Sequence, residues 1–468
     1  MDTTVPEAGP AASTRRLAAP IAALRDVTAL LLIAELLACG AMAVWVGRPL
    51  YADGAFYLFA LLNDPTVTAW AWTRDGANVI TQVPVILAMR AGVSDITWLA
   101  RIYGAALYAP PLLAYAATTW LSRRDPHLFV GNAVFVVACF FPISIFIVGE
   151  FQILYALFWC GFVLLITGNA DRPLGSAIVL ALAFGMADTY AISVLLCPLT
   201  MLAALWRIHV TDSRVARRIL ILAMVPLAAG TVIGALGILL TRDPGNEGQF
   251  LHALLRFHRN VTLLGLCGLL GLTAVATRLH GSARRAAAAA TAVACLLFGW
   301  ELTRLNHGPV LGDTYTVLGD SYSERAQIVP IVLAVAVVCL FDAWRKARTG
   351  IAPRWRFVFW PLLVPALMVV ALDLYASFGW RSFLQQFCTV LADERRNAAA
   401  FLGGEAAQTY GWRWTYPTLS VLLRPADSTA MVRNPDPQQW QPFDPDDAPD
   451  LDRYKTRGGM CRLVGQGA

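Results

Sequence analysis

"LGSAIVLALAFGMADTYAISVLLCPLTMLAALW", residues 174–206, is an apolar run too long to cross a bilayer once, and Asp188 and Tyr190 interrupt it near its middle. A helix needs about 20 apolar residues to cover a hydrocarbon core of roughly 30 Å, so the run predicts two short helices meeting at a polar turn. The rest of the chain repeats the theme. Of its 468 residues, 57% are hydrophobic and only 15% charged, with a mean hydropathy of +0.56, a balance foreign to soluble domains. The sequence predicts an all-α polytopic integral membrane protein of about eleven transmembrane helices, with a small external C-terminal tail of α+β or irregular structure.

The other spans read at 27–47, 97–121, 128–147, 151–168, 219–240, 260–277, 286–303, 327–344 and 357–376. Arginines gather in alternate loops: Arg123 and Arg124; Arg172; Arg207, Arg214, Arg217 and Arg218; Arg278, Arg284 and Arg285; then "WRKARTGIAPRWR", 344–356. By the positive-inside rule these loops and the N-terminus face the cytoplasm, and the C-terminus faces the periplasm or exterior. The abundance of alanine and arginine points to a bacterial inner membrane. The net charge of +6 is spread over these short clusters, which report topology and argue against a nucleic-acid partner. The reading divides the chain into a cytoplasmic tail at 1–26, a membrane domain at 27–376 and an external segment at 377–468. Seven of the nine cysteines lie in apolar spans as small hydrophobes. No CxxC pair, HExxH motif or Walker-type loop occurs, so the sequence assigns no metal ligands.

The first external loop is the most informative. "RPLYADGAFYLFALLNDP", 48–65, places Asp53 between tyrosines at the start of an amphipathic run that suits a helix lying in the interface. "NVITQVPVILAMRAG", 78–92, reads as a second such helix, and between the two lie Trp70, Trp72, Arg74 and Asp75. Asp53 also suits a helix cap, a role aspartate commonly fills. Glu150 occupies the tight external turn "VGEFQ", where it reads either as a site residue or as a solvated turn.

An aspartate opening a long first external loop with two interfacial helices, in "YADGAFY", followed by "WTRDGAN" and the acidic turn "VGEFQ", resembles the GT-C class of polyprenyl-phosphate-sugar-dependent membrane glycosyltransferases. The resemblance implies transfer of a sugar from a lipid-linked donor to a lipid or glycan acceptor at the outer face. Asp53 would then deprotonate or orient the acceptor, and Glu150 would assist or help hold a divalent cation. Arg74, beside Asp75, offers a permanently charged fork for the phosphate. His252, Arg256 and Arg259 fall on one helical face, suited to a phosphate or to lipid headgroups. Arg304, His307 and Arg325 lie in the last long external loop, which reads as a closing loop or as ordinary loop charge. A transporter or flippase for an amphipathic substrate, or a non-catalytic membrane scaffold, fits the same many-helix pattern.

Two acids interrupt apolar spans. Glu35 and Asp188 must each face protein or water, and for Asp188 the polar turn supplies the exit. In the tail, "WRSFLQQFCTVLADERRNAAAFLGG" predicts a helix, and "YGWRWTYPTLSVLLRPADSTAMVRNP" reads as short strand-like pieces. The two external cysteines, Cys388 and Cys461, are free to join in an oxidising compartment.

Overall fold

The computed structural model describes residues 11–51, 53–68, 74–144, 149–240, 321–349, 359–392, 415–424, 428–432, 451–454 and 461, with scattered positions between 268 and 297. Its main helices are α1 (Ala11–Trp45), α2 (Asp53–Asn63), α3 (Asp75–Arg90), α4 (Ile96–Ser122), α5 (Pro126–Ser144) and α6 (Glu150–Ile166). There follow α7 (Pro173–Ala187), α8 (Ser193–Val210), α9 (Arg214–Leu240), α10 (Ser321–Thr349), α11 (Phe359–Ala392) and α12 (Tyr416–Leu423). Three stretches are long and apolar enough to cross a membrane among the described residues, Arg25–Trp45 in α1, α8 and α9, and shorter apolar helices include Phe151–Ile166 and Pro173–Ala187. Of the expected spans, 260–277 and 286–303 lie mostly outside the described residues.

The long apolar block breaks where its acid predicts. Asp188 ends α7 with φ −138° and ψ 43°, and α8 begins at Ser193. The break is buttressed from behind by α9. Gly230 and Gly234 bring that helix so close that a Cβ would lie 2.8 Å from the Ala187 Cα and 2.7 Å from the Ala191 carbonyl oxygen. Ser193 uses this proximity to donate from Oγ to the Gly230 carbonyl at 2.8 Å, which satisfies a hydroxyl that would otherwise be stranded.

At one end of the bundle Arg123 donates to Asp26 at 3.2 Å, Lys346 to Asp125 at 2.6 Å and Arg207 to Asp171 at 2.6 Å; of the other loops expected on that side, 350–356 lies outside the described residues and 278–285 only partly within them. Tryptophans mark both borders. Arg101 lies between the rings of Trp45 and Trp98, at 4.4 and 5.0 Å, while Arg123 lies 3.4 Å from the ring of Trp120 and Arg348 4.9 Å from that of Trp344. Trp98 and Trp120 sit 22 residues apart on α4, about 33 Å along a helix. That length is close to the hydrocarbon thickness of roughly 30 Å.

Between the borders a polar relay ties three helices together. Trp159 Nε1 donates to Asn132 Oδ1 at 2.8 Å, and Asn132 Nδ2 donates to Thr119 Oγ1 at 3.0 Å. Around it Phe135 stacks on Trp159 at 4.1 Å.

The tail departs from its sequence reading. The segment expected to form strands contains α12, with Pro417 in its first turn and all eight residues buried. Proline's fixed φ suits that position, and tertiary burial overrides the weak strand preference of the sequence. No strand occurs among the described residues. α11 runs without a break through Ser377 for 34 residues, about 51 Å. Its projecting end packs Phe387 against Tyr416 at 5.6 Å and Trp380 against Tyr51 at 5.5 Å. α12 in turn lies on α2, and Arg453 donates to the Leu62 carbonyl at 3.2 Å. As a result α2, which the sequence reads as a helix lying in the interface, is buried on nearly every side.

Cys388 and Cys461 are joined in a disulfide that closes this strap. A loop of 73 residues' separation stabilises by about 4 kcal/mol in the chain-entropy account. Mass-tag counting on denatured, unreduced protein should therefore find two of the nine cysteines protected until reductant is added. Nine reactive thiols without reductant would disprove the bond.

Candidate functional site

Arg74 and Asp75 open α3, and Gly76 docks this start onto the α7–α8 turn, donating its N–H to the Asp188 carbonyl at 2.7 Å. Only glycine fits such an approach, since a Cβ at Gly76 would lie 2.7 Å from that same oxygen. The docking carries Arg74 over the ring of Tyr190, 5.4 Å from its centroid, and Tyr190 packs edge-on against Phe151 at 6.1 Å. Three segments distant in sequence thus meet: the start of α3, the start of α6 and the α7–α8 turn.

The junction is electrostatically tense. Asp75 and Asp188 each hold a buried Oδ1 that has no hydrogen-bond partner. Partial burial, reinforced by the charge of Asp75, pushes the Asp188 carboxyl up from its ordinary 3.8 to about 6. Two further polar atoms at the same starts are unpartnered. Asn78 Nδ2 and Gln152 Nε2 belong to side chains 1% and 2% exposed.

The sign of the Asp188 shift fixes a pH dependence of stability. A carboxyl whose folded pKa is raised favours the folded state while protonated, so its contribution is full below about 3.8 and is lost as pH rises through about 6. Melting temperatures of the native chain and Asp188→Asn, compared between pH 4 and 8, should diverge over that window, with the native chain losing ground as pH rises. Asp75→Asn should narrow the window without abolishing it, because burial is the larger cause. A constant difference across the range would contradict the assignment.

Asp53 is the first residue of α2 and is half-buried. It stands beyond a short turn, Arg48–Leu50, that is anchored from afar: Arg48 Nη1 donates to Asp373 Oδ1 at 2.6 Å and to Ser377 Oγ at 3.0 Å, with all three residues buried. The sequence alone does not single out this pair. Its visible signal was an aspartate inside the last apolar span, 357–376, of the same kind as Glu35 and Asp188.

Glu150 is the first residue of α6 and Arg325 lies within α10, but their side chains fall outside the description. His252, Arg256, Arg259, Arg304 and His307 lie outside the described residues altogether. Among the described residues no group of three or more His, Cys, Asp or Glu is placed to hold a metal ion. No protein-family model, curated protein or solved structure matches the chain.

Proposed function

We propose that this chain is a bacterial inner-membrane glycosyltransferase of about eleven crossings, with a cytoplasmic N-terminus, that moves a sugar from a polyprenyl-phosphate donor to a lipid or glycan acceptor at the outer face. The observation that carries the reading is the junction of Arg74, Asp75, Asp188 and Tyr190, a cation and two carboxylates brought together at the end of the bundle away from the arginine-rich loops. The acceptor hydroxyl oxygen attacks the anomeric carbon, and the bond from that carbon to the donor phosphate breaks. The acceptor's proton passes to a carboxylate, for which the resemblance favours Asp53, and the departing polyprenyl phosphate takes the electron pair. Arg74 neutralises the charge that collects on it. No step is assigned to a metal.

The test is transfer by purified chain in liposomes supplied with a panel of synthetic polyprenyl-phosphate sugars, with the product read by mass spectrometry. Arg74→Ala should raise the donor KM more than Arg74→Lys, since lysine keeps the charge but loses the two-pronged geometry. Equal effects would reduce Arg74 to its packing on Tyr190. Movement of intact lipid-linked sugar across the bilayer, with no transfer from any donor, would replace the reading with transport.

A further inference from the structure

We infer that the junction of α3, α6 and the α7–α8 turn holds an uncharged, polyhydroxylated sugar ring and rejects the same ring bearing a carboxylate. The inference deepens the glycosyltransferase reading, on which it rests for the ring's attachment to a lipid phosphate. Buried polar atoms without partners are few in folded proteins because each costs stability. Here two acceptors, Asp75 Oδ1 and Asp188 Oδ1, and two donors, Asn78 Nδ2 and Gln152 Nε2, occur where three elements meet.

Their placement follows from the helices. Asn78 lies three residues after Asp75, so these two share one face of α3, and Arg74 caps its start. The other side of the Asn78 amide is already committed, because its Oδ1 accepts from Gln82 Nε2 at 3.1 Å. That bond fixes the flip of the amide and leaves Nδ2 as the free end. Gln152 follows Phe151, the residue packed against Tyr190. A ligand that satisfies donors and acceptors together must offer both, and a hydroxyl does so at every ring position. Tyr190 and Phe151 add an aromatic wall of the kind that meets the C–H face of a sugar.

Charge decides between sugars. Asp75 and Asp188 outnumber Arg74, and the proposed mechanism commits Arg74 to the donor phosphate. Among the described residues of the junction, a carboxylate on the ring would face two others with no cation besides Arg74. A neutral ring meets no such penalty.

The experiment measures binding of methyl glycosides to the purified full chain in nanodiscs at pH 7.5, pairing each neutral hexoside with its uronide counterpart. At least one neutral glycoside should bind, and its uronide should bind about tenfold or more weakly. Asn78→Ala and Gln152→Ala should each weaken the neutral ligand about tenfold, the effect of removing one hydrogen bond to a buried partner. Asp75→Asn keeps the shape of the site and should narrow the gap between neutral and acidic rings, which separates charge discrimination from misfolding. Failure of every neutral glycoside to bind, or equal binding of the uronide, overturns the inference. Transfer from neutral and acidic donors alike would sink the selectivity while leaving the glycosyltransferase intact. Selective binding without transfer would do the reverse.

Discussion

Replacing Asp373 with alanine should destabilise the chain by about 3–5 kcal/mol, because it leaves the buried Arg48 guanidinium without its counter-charge. Arg48 is 4% exposed and Asp373 1%, so neither water nor a headgroup is at hand to take over. The damage should also travel. Arg48 anchors the turn that precedes Asp53, and Gly54 sits so close to that turn that a Cβ there would lie 1.7 Å from the Pro49 carbonyl oxygen. Freeing Arg48 loosens the start of α2 along with α11. The double replacement Arg48→Met with Asp373→Leu should recover most of the lost stability, since apolar residues of similar size often replace a buried pair at little cost. Thermal melts of the purified variants decide the matter. A single variant within about 1 kcal/mol of the native chain would show that the pair is solvated or dispensable.

That pair also shows where the sequence stopped being legible. The helical class and the break at Asp188 followed from apolar length and one misplaced acid, signals that are local and strong. The docking of Arg74 and Asp75 on that break was not legible, because it depends on Gly76 approaching a backbone carbonyl more than 100 residues away. Nor was the link from Arg48 to Asp373, separated by 325 residues. The tail misled for a related reason. Its aromatic and β-branched residues read as strands in isolation, but α11 reaches far enough to bury Tyr416–Leu423 as a helix. Packing partners supplied from afar decide such short elements.

Asp53→Asn should abolish transfer, lowering the rate by about 100-fold or more while the melting temperature stays close to that of the native chain. The substitution keeps size and hydrogen bonding but removes the charge that accepts the acceptor's proton. Asp188→Asn provides the contrast. It removes a carboxylate at the sugar junction without removing the base, so it should weaken substrate binding more than it slows turnover. An Asp53→Asn variant within a few-fold of native activity would leave Asp53 as a helix-initiating residue and pass the base role to the Asp75 and Asp188 pair.

The most direct test of the proposed site is an experimental structure of the full chain with bound polyprenyl phosphate. The phosphate should lie within hydrogen-bonding reach of the Arg74 guanidinium, beside the docked start of α3, with the space toward Asp75, Asn78 and Asp188 left for the sugar. A phosphate bound at the opposite end of the bundle, among Arg123, Arg207 and Lys346, would contradict the account.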